Sequence, residues 1–286
     1  MKIRVAAVQP RSHHGPEEER NVERALSWME RAAGEGAELV VFPEGYPGPT
    51  NPANDYDSLG PLAERAASLG LHVVAGRIEP ITGANGHHVC LSLIDDTGAV
   101  ASTYRRTSPV GPYVYKDLDV WQVDYVEGPE PPQVVNTRLG RIGMLVCSEV
   151  YVPELSRLLA LQGADLIVYP AGGAINELLA TWRTLLWARA IENLVFTVAS
   201  QNLYAPDEQG VGQIAAPERI LAASPTEGLL VADLDLDRLE YLRGQDERIE
   251  FPKPYDAIPG VTRWRRPELY AGLTEAGAAH APASAS

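Results

Sequence analysis

Ile142-Gly143-Met144-Leu145-Val146-Cys147-Ser148-Glu149-Val150-Tyr151-Val152-Pro153-Glu154 joins an apolar run to a turn and then to a helical pattern. Ile142–Val146 has the length and apolarity of a buried strand. The helical pattern over Pro153–Gln162 starts on a proline, which suits a first helical turn, and Gly163 stops it. A second apolar run, Leu166–Tyr169, follows at once. Strand, helix and strand in this order indicate a layered α/β fold.

The same pattern repeats along the rest of the chain. Apolar runs bounded by turn residues predict further strands at Ile3–Val8, Leu39–Phe42, Leu71–Ala75, Val89–Ile94, Ala99–Tyr104 and Val195–Ser200. Helical spacing predicts helices at about Glu17–Ala33, Pro61–Leu69 and Glu177–Glu192, with Gly34 and Gly70 as stops. Gly212–Ala216, Ile220–Ala223 and Gly228–Asp233 are short strands separated by turn signals, expected to form an antiparallel meander on the same sheet system. Arg105–Pro132 is a long irregular stretch, and its aromatic residues Tyr113, Tyr115, Trp121 and Tyr125 favour an ordered functional loop. No internal repeat or flexible linker divides the chain, so residues 1–274 are expected to form a single domain. Residues 275–286 are Ala/Ser/Pro-rich and expected to be a disordered tail.

The composition narrows the functional class. Asp and Glu number 38 against 24 Lys and Arg, a formal charge of −14. A phosphate-binding groove needs the opposite surplus, so no nucleic-acid partner is expected. No apolar run is long enough to span a bilayer and the start lacks a signal-peptide pattern, so no membrane association and a cytoplasmic location are expected. The chain has only two cysteines, Cys90 and Cys147. Two are too few for a disulfide framework, and no CxxC or HExxH spacing points to a metal, so at least one thiol is free for chemistry.

Cys147, at a strand-to-helix turn, sits where backbone N–H groups can face a developing oxyanion and a helix start can lower a thiol's pKa. It could equally be a small buried hydrophobe. Glu44 ends the strand in Val40-Val41-Phe42-Pro43-Glu44-Gly45, at the edge where open α/β folds place their chemistry. Alone it could be a solvated loop acid or a helix cap. The two strand ends must converge for either to matter.

Several fragments, in order, resemble the nitrilase or carbon–nitrogen hydrolase superfamily. They are Val5-Ala6-Ala7-Val8-Gln9, Val41-Phe42-Pro43-Glu44, Tyr104-Arg105-Arg106, Gly140 through Glu149, Pro153-Glu154 and Gly163-Ala164-Asp165-Leu166-Ile167. Ala188-Arg189-Ala190-Ile191-Glu192-Asn193 and Arg265-Arg266-Pro267-Glu268-Leu269-Tyr270 complete the series. The resemblance implies a four-layer αββα sandwich, a Glu–Lys–Cys catalytic set, no metal or organic cofactor, and homodimers or larger homo-oligomers. It makes Cys147 the nucleophile, Glu44 the general base and the N–H of Ser148 the backbone oxyanion donor.

Two positions depart from the family pattern. The family's lysine falls in a Tyr-Arg-Lys sequence, and Arg106 stands there; arginine keeps the charge but not the compact ammonium or its exchangeable proton. The chain's lysines are Lys2, Lys116 and Lys253, and Lys116, in the aromatic loop, is the alternative cation. The family's second glutamate, which helps orient the lysine, is also missing from its expected place in Trp121-Gln122-Val123-Asp124-Tyr125-Val126-Glu127-Gly128, so Asp119 or Asp124 substitutes for it or the role is absent. Tyr46, Tyr113, Glu149, Tyr151, Gly172 and Gly173 are expected to line a pocket for a small-molecule substrate. His87 and His88 read as a turn entering a strand, and Arg189 with Glu192 as a structural pair. The expected function is cysteine-dependent hydrolysis of a non-peptide C–N bond in a small amide, carbamoyl or ureido compound through a thioester. A true nitrilase, or a catalytically weak relative that binds a small molecule or a partner, is the alternative.

Overall fold

The apolar runs become two six-stranded sheets in the computed structural model, which describes residues 1–84, 86–108, 125–173, 176–244 and 254–274. The strands are β1 (Lys2–Gln9), β2 (Leu39–Val41), β3 (His72–Pro80), β4 (His87–Ile94), β5 (Val100–Arg105) and β6 (Val134–Thr137). They continue with β7 (Gly140–Met144), β8 (Leu166–Ala171), β9 (Phe196–Gln201), β10 (Gln213–Ala216), β11 (Arg219–Ala223) and β12 (Gly228–Asp235). One sheet runs β12-β1-β2-β3-β4-β5 and the other β11-β10-β9-β8-β7-β6. Each has three parallel strands, β1-β2-β3 or β7-β8-β9, with antiparallel strands outside them.

Period-two alternation decides which residues meet between the sheets. On β1, Ile3, Val5 and Ala7 join the cluster that holds the two sheets together, whereas Ala6 and Val8 face the helices. Helix α1 (Arg20–Gly34) buries Ala25, Trp28, Met29 and Ala32, the spacing of a single apolar face. With Leu62 and Ala66 of α2 (Leu59–Leu69), that face covers the first sheet. Each large side chain so buried contributes about 1.5–3 kcal/mol. The second sheet is covered by α3 (Pro153–Leu161), through Leu159, and α4 (Leu179–Asn193), through Leu179, Trp182 and Leu186. Helices therefore flank both sheets, and the helix–sheet–sheet–helix layering follows.

The structure departs from the expected elements at a few places. The terminal meander is split: β10 and β11 stay on the second sheet, while β12 crosses to pair with β1 along eight residues. Its alternation fits either sheet, and the choice is made by the open edge of β1. Strand β7 ends at Met144, earlier than the expected Val146, because the chain already bends toward the 3-10 turn Cys147–Tyr151. Strand β6 and helix α5 (Leu236–Gly244) were not anticipated, since both are short and interrupted by polar residues. Residues 109–124 and the expected tail 275–286 lie outside the described residues. Among the described residues, no helix is long and apolar enough to cross a membrane.

Candidate active site

Three side chains converge where strands of both sheets end. Glu44 follows β2, Arg106 follows β5 and Cys147 follows β7, and all three are buried. Chemistry gathers at strand C-termini because the chain diverges there and leaves a crevice. Cys147 adopts a left-handed backbone, φ 51°, as the first residue of its 3-10 turn. A non-glycine residue in that region costs about 1–2 kcal/mol, so the surroundings must hold it. Part of the hold comes from α4, where Arg189 Nε donates to the Val150 carbonyl at 3.1 Å and Nη1 to Glu192 Oε1 at 2.8 Å. The expected pairing of Arg189 with Glu192 is therefore present, and it supports the turn.

Glu44 is fixed from several sides. The N–H of Gly172, just past β8, donates to Glu44 Oε2 at 2.8 Å and also faces the Cys147 thiol, which lies beside the Glu44 side chain. Asn202, just past β9, donates from Nδ2 to the Glu44 carbonyl at 2.8 Å. Beneath the turn runs Gly76 of β3, where a Cβ atom would come within 2.3 Å of Gly45 N and 2.7 Å of Pro43 O. Only glycine lets the strand pass this close.

Among the described residues, Arg106 spreads its guanidinium over three acceptors. Nε donates to Ser108 O at 3.0 Å, Nη1 to Glu44 Oε1 at 3.4 Å, and Nη2 to Ser148 Oγ. A fork with donors in several directions suits this arrangement, and a compact, point-like ammonium does not. Ser148 thus meets Arg106 through its hydroxyl. Lys116, the alternative cation, lies outside the described residues, as do Tyr113, Asp119 and Asp124.

The expected pocket residues separate into groups. Gly172 is at the centre, with Gly173 beside it. Tyr151 is 42% exposed and packs edge-on against Trp182 at 5.6 Å. Tyr46 instead packs against Phe42 within the helix-side core, because its turn points the ring away from Cys147. Glu149 is fully buried, and Tyr104 Oη and the Ser108 N–H are among its donors. Sequence reasoning missed Gly76, Asn202 and Tyr204; burial and the nearby charge of Glu44 raise the Tyr204 phenol well above its ordinary range. Only a glycine inside a strand pattern hinted at Gly76.

Electrostatics corrects one expectation. The thiol of Cys147 is not acidified: burial, and then the charge of Glu44, push it up to about 12. A 3-10 turn of one and a half windings supplies no dipole able to offset that desolvation. Burial also holds Glu44 above the ordinary carboxylate range, while Arg106, the Cys147 thiol and the Gly172 N–H draw it back. The resting thiol therefore keeps its proton, with Glu44 beside it to take that proton as attack begins. Among the described residues, no group of three His, Cys, Asp or Glu side chains could hold a metal ion.

Residues 4–243 match the family profile described as carbon-nitrogen hydrolase. Omega-amidase NIT2 of Danio rerio is 27% identical over 285 residues, covering 94% of this chain and 96% of that protein. A carbon-nitrogen hydrolase from Helicobacter pylori superposes with a TM-score of 0.77 at 20% identity, covering 96% of this chain and 99% of the other. An amidase from Nesterenkonia sp. superposes with a TM-score of 0.70 at 25% identity, covering 83% and 92%. These likenesses agree with the sandwich implied by the resemblance.

Proposed function

This chain belongs to the carbon–nitrogen hydrolase family, in the amidase-like branch of the nitrilase superfamily, and from that premise we propose that it hydrolyses a small amide, carbamoyl or ureido compound through a thioester on Cys147. One observation carries the reading: a buried carboxylate, Glu44, held by the Gly172 N–H at 2.8 Å and paired with Arg106, stands beside the buried Cys147 thiol. Glu44 takes the thiol proton as sulfur attacks the carbonyl carbon. The N–H of Ser148 and the guanidinium of Arg106 stabilise the oxyanion. Protonated Glu44 then gives its proton to the departing nitrogen, and the C–N bond breaks to leave the thioester. Finally Glu44 draws a proton from water, which attacks the thioester and frees Cys147.

The test is ammonia release from a panel of primary amides, N-carbamoyl compounds, ureides and nitriles, with the Cys147→Ala protein as control. Release from an amide, carbamoyl or ureido substrate that vanishes in the control is the expected result. Release only from nitriles, or equal release by Cys147→Ala, overturns the proposal.

A further inference from the structure

Glu149 is a fully buried carboxylate that makes no ion pair among the described residues. Burying such a charge is costly unless hydrogen bonds replace its water. Here they come from two separate segments of chain. From the first, Tyr104 Oη donates at 2.9 Å to Oε1 and 3.0 Å to Oε2, and Thr107 N, Thr107 Oγ1 and Ser108 N donate to Oε1 at 3.0, 3.1 and 3.0 Å. From the second, Val146 N donates to Oε2 at 2.8 Å. The first segment carries Arg106, and the second leads directly into Cys147. Ser108, whose N–H is held by Glu149, also offers its carbonyl to Arg106 Nε.

We propose that Glu149 is a positioning residue that fixes the Arg106 guanidinium relative to the Cys147 thiol by accepting hydrogen bonds from both segments at once. A carboxylate suits the task because both of its oxygens accept. The amide of glutamine would turn an N–H donor toward either Val146 N–H or the Thr107 and Ser108 N–H groups, so one segment would lose its anchor. The effect on hydrolysis rests on the amidase reading above, whereas the geometry does not.

The experiment is a double-mutant cycle of Glu149→Gln with Arg106→Ala, measuring kcat and KM on the best substrate and the rate at which iodoacetamide alkylates Cys147. Glu149→Gln is expected to lower kcat at least about tenfold with KM little changed, and by less than about threefold once Arg106 is already alanine, the non-additivity of residues acting together. Equal factors in both backgrounds, or near-native activity of Glu149→Gln, overturn the proposal. Should Glu149→Gln fail to fold by circular dichroism, Tyr104→Phe removes one donor and enters the same cycle, with a smaller loss expected under the same dependence on Arg106. If the wild type hydrolyses nothing in the panel, the amidase reading fails alone. Alkylation then decides: slower labelling in Glu149→Gln supports the positioning role, and an unchanged rate overturns it.

Discussion

Arg106 Nη1 lies 3.4 Å from Glu44 Oε1, with both side chains almost wholly buried, so the cation is paired with the base before any substrate arrives. This pairing couples oxyanion stabilisation to the proton affinity of the base.

Arg106→Ala should therefore change two things together. Loss of an oxyanion donor costs roughly 3 kcal/mol, about a hundredfold in rate. Glu44 works as a carboxylate, so kcat/KM falls as pH drops through its pKa, which burial holds above the ordinary carboxylate range. Arg106 lowers that pKa, so removing it should move the acid limb of the pH profile to higher pH. Arg106→Lys keeps the charge but abandons at least one of the three acceptors, and should lose rate while shifting the limb less. A limb that stays in place or moves down in Arg106→Ala contradicts the pairing.

Iodoacetamide labelling distinguishes a base from a mere opposing charge. Burial and neighbouring charge push both thiols, Cys90 and Cys147, up to about 12, so neither has a useful thiolate fraction at neutral pH. Cys147 should nonetheless label faster, as read by mass spectrometry, because Glu44 can take its proton during attack. Glu44→Gln removes a charge that disfavours the thiolate, yet should slow labelling if the carboxylate is the acceptor. Faster labelling in that variant would show that Glu44 acts only through its charge.

Gly172→Ala places a Cβ atom 2.7 Å from Glu44 Oε2, and the base must move away from the thiol. The expected result is a loss of kcat of at least about tenfold, the range for a displaced general base, with the thermal midpoint nearly unchanged. Gly34→Ala, with nothing within 4 Å of its added Cβ, is the control and should keep full activity. Equal activity in the two variants would free Gly172 from any role in holding the base.

The fold was legible where local pattern decides it. The runs around Val5, Val40, Val73, Leu91, Ile167 and Val198 announce strands, and the proline and glycine at the ends of α3 announce its limits. Cys147 and Glu44 were legible as strand-end residues with chemistry, and the family pattern joined them. What was hidden depends on contacts across the chain. The sequence around Glu149 says only that an acid follows the nucleophile; its burial depends on Tyr104, Thr107 and Ser108 arriving from the other sheet. Tyr46 follows Glu44 by two residues and looked like its neighbour in space, but the turn sends the two side chains to opposite faces. The thiol's pKa was misjudged because a strand-to-helix turn suggests a helix dipole, whereas depth of burial dominates.

Among the described residues, the first strand is clasped by the last, Lys2 opposite Asp235 through to Gln9 opposite Gly228. During synthesis β1 therefore leaves the ribosome long before its outer partner exists, with one row of backbone groups unpaired, the kind of edge that recruits foreign strands. Closing that pair joins distant parts of the chain, which slows folding. A chain released before Gly228 would keep the open edge permanently. Substitutions in β12 should accordingly be felt as poor recovery of soluble material from expression, with the molecules that do close turning over at the native rate.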